Sequence, residues 1–140
     1  MNRCSTLTER FRYTSNTVFD TFPWPQKPTA KAIKAVAAAA VALRAKRAEL
    51  RAKHNLSFRE LYRALELPGD HPLKDAHAAL DEAVRSAYGM SSSADPLAFL
   101  LDLNAQVADA EANGDEVQGA GLPLFINDRS AYVSKDCITA

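Results

Sequence analysis

The side chains best placed to act on a ligand are cationic and concentrated in one stretch. Lys27, Lys31, Lys34, Arg44, Arg47, Arg51 and Lys53 lie close together, with Glu49 as the acid among them. Lysine and arginine at this density can neutralise phosphates, so the chemistry on offer is contact with a nucleic-acid backbone. The same charges also suit a solvated helix face, and the stretch alone leaves both readings open. The formal net charge of zero hides a segregation. Residues 1–63 carry 13 Lys and Arg against 4 Asp and Glu, and residues 64–140 carry 4 against 13. Such an asymmetry implies either a polar partner for the basic half or mutual attraction between the halves.

Other reactive groups lack the spacing that chemistry needs. His77 falls on the apolar side of a helical pattern and reads as a satisfied core histidine. Neither His54 nor His71 stands at metal-ligand spacing from it. Asp81 and Glu82 are adjacent on a helix, so their carboxylates diverge. Gly119-Ala120-Gly121 runs into Leu122-Pro123 rather than into a helix, which argues against a phosphate cradle. P-loop, GxGxxG, HExxH and methyl-donor loop patterns are all missing, as is the Pro-Pro-aromatic motif that amino-methyltransferases use on a flipped base. On these residues no catalytic, cofactor or metal site is expected. Cys4 and Cys137 make no disulfide framework, no secretory signal is evident, and Ala35–Leu43 is too short to cross a bilayer, so a soluble cytoplasmic protein is expected.

The cations need an element to carry them, and the sequence supplies one. Pro28–Lys53 is rich in alanine, which loses no rotamer freedom in a helix, and no Gly or internal Pro interrupts it. Thr29 is placed to cap its start, and the helix should end near His54-Asn55. Ile33, Val36, Ala40, Leu43 and Leu50 form one apolar stripe, with Arg47 standing where an apolar residue belongs. Lys27, Lys31, Lys34, Lys46 and Lys53 fall opposite, while Arg44 and Arg51 flank the stripe.

Before this helix, Phe11, Tyr13, Val18, Phe19, Phe22 and Trp24 crowd into a strap that Pro23 and Pro25 hold out of helix. Phe11–Tyr13 and Thr17–Phe19 read as short extended pieces, and Trp24 as buried against the helices. The aromatics fit core packing, with base stacking as the rival use. After it, Ser57 and Glu60 match a capping box that opens a short helix, stopped before Pro68-Gly69. Its buried face would hold Leu61 and Leu65, with Phe58 and Tyr62. Asp70-His71-Pro72 leads into a third helix, Leu73–Tyr88, closed by Gly89. Ser91–Ser93 reads as a flexible joint. Asp95 and Pro96 start a fourth helix that ends at Asn113-Gly114, with an apolar first half expected to be covered on several sides. The expected fold is all-α with about four helices: a strap over 1–26, a helical domain over 27–124 and an irregular tail over 125–140.

Five blocks in order carry a resemblance: RYTSNTVFDTFPWP (Arg12–Pro25), ELYRAL (Glu60–Leu65), KDAHAALDEAVRSAYGM (Lys74–Met90), FLLDLNAQV (Phe99–Val107) and GAGLP (Gly119–Pro123). Together, across about residues 9–124, they resemble the C-terminal part of MmeI-like, type IIL restriction–modification enzymes. Those are large chains joining an adenine-specific DNA methyltransferase to a target recognition domain, often behind a nuclease. The resemblance implies a small helical domain that helps hold those two domains around DNA, with S-adenosylmethionine bound elsewhere in the full-length enzyme. No catalytic residue carries over, because the family's catalytic motifs have no counterpart here. An excised domain, a truncated reading frame and a gene remnant all fit that departure.

Two functions are therefore expected to compete. One is an accessory DNA-associated module that contacts phosphates through the seven named cations. The other is a helical protein-interaction module without a nucleic-acid role, docked to a parent enzyme's domains or self-associating through exposed apolar surface.

Overall fold

The computed structural model describes residues 5–7, 10–12, 14–123 and 125–132. These form four α-helices: α1 (Ala30–His54), α2 (Phe58–Arg63), α3 (Pro72–Tyr88) and α4 (Pro96–Ala112). A short hairpin precedes them, with β1 (Ser5–Leu7) antiparallel to β2 (Arg10–Arg12) and Thr6 opposite Phe11. The class is all-α, as the sequence implies. By their packing the residues divide into two compact units, Pro28–Ala94 with α1–α3, and Met1–Lys27 with Asp95–Ala140, which holds the hairpin and α4. The helical domain expected over 27–124 thus runs through both units.

In the first unit, α1 starts where Thr29 accepts the Ala32 amide at 3.1 Å. It stops at Asn55, which takes the left-handed conformation (φ 50°, ψ 44°). There the amides of Asn55 and Leu56 both donate to the Arg51 carbonyl, satisfying an orphan helix-end acceptor. The Ser57–Glu60 capping box forms in full: the Ser57 amide donates to the Glu60 carboxylate at 2.8 Å, and the Glu60 amide donates to the Ser57 hydroxyl at 3.3 Å. After α2 the chain tightens into one 3₁₀ turn, Ala64–Glu66. α3 opens with His71 as its cap, the ring Nδ1 accepting the Leu73 amide at 3.2 Å, and closes at left-handed Gly89. The expected flexible joint is held: Arg85 donates to the main-chain carbonyls of Ser91 and Ala94 at 3.3 and 3.2 Å.

α1 packs chiefly on α3. The core is Leu43 and Leu50 of α1, Leu61 of α2 and Leu73 of α3, ringed by Leu56, Tyr62, Leu65, Ala76 and Leu80. Leu61 and Leu73 are sealed, at 1% and 0% exposure. Burying each contributes about 1.5–3 kcal/mol, so this unit leans on few residues.

The second unit departs further from expectation. Ser15–Phe19 is one π-helical turn, not an extended piece, closed by Val18 N–H to Thr14 O and Asp20 N–H to Ser15 O, both at 3.0 Å. A turn pairs these main-chain groups locally, where a lone strand would leave them without a partner. Phe11 lies in β2 as expected, while Tyr13 falls outside the described residues. Trp24 is half-buried, with Phe19 and Phe22 edge-on to it at ring separations of 5.2 and 5.3 Å. Edge-on geometry sets positive ring edges against a negative ring face. α4 begins and ends as read, with Asp95 accepting the Leu97 amide. Its apolar half is not covered on several sides, however: Leu97 and Leu101 stay 67% and 47% exposed. Phe99, Leu100 and Leu103 form the half-buried side. In the expected tail, Ser130–Tyr132 makes one 3₁₀ turn; Cys4 and Cys137 lie outside the described residues.

Candidate nucleic-acid interface

A 25-residue helix carries most of the cations, which at ~1.5 Å per residue extends roughly 37 Å. Lys31, Lys34 and Lys53 are exposed on it, with the two lysines near its start separated from Lys53 by most of its length. Arg44 is exposed on the ridge it shares with Arg47 and Arg51. Lys27 belongs to the other unit, where it is exposed. Lys46, also on α1, pairs with Glu49 at 2.7 Å, and that hydrogen bond, with the charge behind it, holds the Glu49 carboxyl below the usual glutamate range. Lys46 is therefore partly neutralised.

Arg47 and Arg51 behave differently from the lysines. Both are half-buried and turned towards α2. Arg47 answers the oddity of a cation within an apolar stripe. Its guanidinium lies 5.5 Å from the Phe58 ring centre, Nη1 makes a long contact of 3.5 Å to the Tyr62 hydroxyl, and Nε is enclosed with no hydrogen-bond partner among the described residues. Arg51 is fixed more firmly. Its guanidinium carbon stacks 3.9 Å from the same ring centre, and Nε donates to the Leu56 carbonyl at 3.2 Å. Phe58, expected on the buried face of α2, is half exposed and serves as the surface on which these cations rest. A phenylalanine one turn beyond a basic helix is the available sequence signal, but packing rather than spacing reveals the role.

The histidines have local roles. His71 caps α3, and His54 is exposed at the end of α1. His77 is half-buried, edge-on to Tyr62 with its Nε2 at 3.3 Å from the Tyr62 hydroxyl. That matches the satisfied-histidine reading. Among the described residues no group of three or more His, Cys, Asp or Glu could hold a metal ion. Also among them, no helix is long and apolar enough to cross a membrane.

Comparison with family models, curated proteins and solved structures finds no match to this chain. The likeness to the type IIL module rests on its five sequence blocks alone.

Proposed function

We propose that this chain is an accessory DNA-associated module that follows the backbone of a duplex, of the kind that accompanies a site-specific adenine methyltransferase and its target recognition domain. The observation that carries the reading is the α1 surface, where Lys31, Lys34 and Lys53 are exposed along one helix whose opposite stripe places Leu43 and Leu50 in the core. Contacts of this type position a protein on DNA without reading sequence. S-adenosylmethionine would belong to the rest of such an enzyme, and no residue of this chain is proposed to hold it. The test is binding to a fluorescent duplex at two salt concentrations. Affinity should fall with salt, and replacing Lys31, Lys34 and Arg44 by Gln should reduce the logarithmic slope by about 0.9 for each phosphate no longer neutralised. An unchanged affinity and slope in that triple variant would end this reading.

A second reading, self-association, is favoured by α4. Leu97, Leu101, Ala105 and Ala108 are exposed along one side of it, and its charged residues, Asp102, Asp109 and Glu111, are all acidic. The basic face of α1 in a second copy has the complementary charge. Sedimentation of the whole chain and of a Leu97→Ser, Leu101→Ser variant tests it: a concentration-dependent dimer should form only with the leucines present.

A further inference from the structure

α1 ends in a local structure that holds one guanidinium still. Because Asn55 turns left-handed, the chain doubles back, and Leu56 and Phe58 return to Arg51, the residue whose carbonyl closes the helix. Arg51 is then gripped twice. Its Nε is spent on the Leu56 carbonyl at 3.2 Å, and its guanidinium carbon lies over the Phe58 ring, 3.9 Å from the ring centre. Nη1 and Nη2 make no hydrogen bond among the described residues. They are donors on a planar fork that is held at two points, its Nε and its face.

We propose that Arg51 is an anchoring phosphate site on the ridge it shares with Arg44, beside the lysine face of α1, binding one backbone phosphate of DNA through both Nη groups, with Phe58 as its positioning residue. This rests on the DNA-associated reading above and adds a ranking to it. Lys31, Lys34 and Lys53 are exposed ammonium groups on flexible stems, and each must be immobilised when it meets a phosphate. Arg51 has lost much of that freedom in folding, so more of its interaction with a phosphate appears as affinity. The fork also matches two phosphate oxygens at once, which an ammonium does not. Arg47 is less suited: one of its Nη groups is turned to Tyr62, and its Nε is enclosed.

Charge and geometry are separable by experiment. A fluorescein-labelled duplex is titrated with the full chain, with Lys31→Gln, with Arg51→Lys and with Phe58→Leu, across a salt series. Arg51→Lys keeps the charge, and Phe58→Leu removes only the stacking surface. The expected result is a loss of about fivefold for Arg51→Lys and about threefold for Phe58→Leu, each with nearly the wild-type salt slope. Lys31→Gln should lower the slope by about 0.9, so that its loss of affinity shrinks to about twofold at about 0.5 M salt, where the losses from Arg51→Lys and Phe58→Leu persist. Circular dichroism melting verifies that each variant is folded; all three substituted positions are at least partly solvent-facing, so folding should survive. Wild-type binding with Arg51→Lys and Phe58→Leu indistinguishable from it would overturn the anchor while leaving the DNA reading intact. No binding by the wild-type chain at low salt would overturn both.

Discussion

The side chain of Gln26 holds the main chain of Gln118 across 92 positions of sequence. Its Oε1 accepts the Gln118 amide at 2.8 Å, and its Nε2 donates to the Gln118 carbonyl at 3.1 Å and to the Trp24 carbonyl at 2.8 Å. One carboxamide thereby does what a β-bridge would do, joining the strap to the segment after α4. Gln26→Ala should destabilise this unit by about 1–2 kcal/mol, because part-buried main-chain groups lose partners. Amide exchange should rise at Gln118. Gln26→Glu should be the worse substitution, since a carboxylate repels both carbonyls. Equal exchange in the wild type and Gln26→Ala would show that the bridge contributes nothing.

The core of the α1–α3 unit is small enough that single truncations should be severe. Leu61→Ala or Leu73→Ala removes a sealed side chain, and losses of about 2–5 kcal/mol are expected from transfer and cavity terms together. Val41→Ala, on the exposed side of α1, should cost less than about 0.5 kcal/mol. Urea denaturation of the three variants gives the comparison.

The capping box makes the start of α2 sensitive to acid. The Ser57 hydroxyl, and after it the Ser57 amide, hold the Glu60 carboxyl below the usual glutamate range. Since the folded value is the lower one, this stabilisation is fully present above the unfolded value and is lost as pH falls through the folded value. Thermal stability should therefore decline through the acidic range, and Glu60→Ala should flatten that part of the profile. Melting midpoints between neutral and acidic pH, measured for both chains, decide it.

Asn55 sets the direction of the chain after α1. A β-branched residue resists its left-handed conformation, so Asn55→Val should destabilise by about 1–2 kcal/mol, while Asn55→Gly should be close to neutral. If Asn55→Val also loosens the Leu56 turn, Arg51 loses the Leu56 carbonyl. Denaturation, with side-chain nitrogen NMR of Arg51, reports both effects.

Much of the helical framework is legible in sequence because helix ends are decided within a few residues. Thr29 reaches Ala32, Ser57 and Glu60 reach each other, and Asp95 reaches Leu97, so residue type and spacing are enough to place α1, α2 and α4. Gly89 ends α3 for an equally local reason, its tolerance of positive φ. The π-turn at Ser15–Phe19 is not legible in the same way, because partial alternation of apolar residues fits a single turn as well as a strand.

The cationic surface is legible only as a set of residue types. Periodicity puts Lys31 and Lys34 on the outside of α1, and they are there. It does not show that Arg47 and Arg51 rest on Phe58, or that Phe58 is half exposed, because those facts depend on how α2 crosses α1. The helices, their caps and the charge segregation follow from neighbouring residues and are readable before any fold is known. The division into two units, the Gln26–Gln118 bridge and the choice of which cation is held in place arise only from packing. Each of these requires residues far apart in the chain, or on different helices, to meet, and no local preference encodes such a meeting.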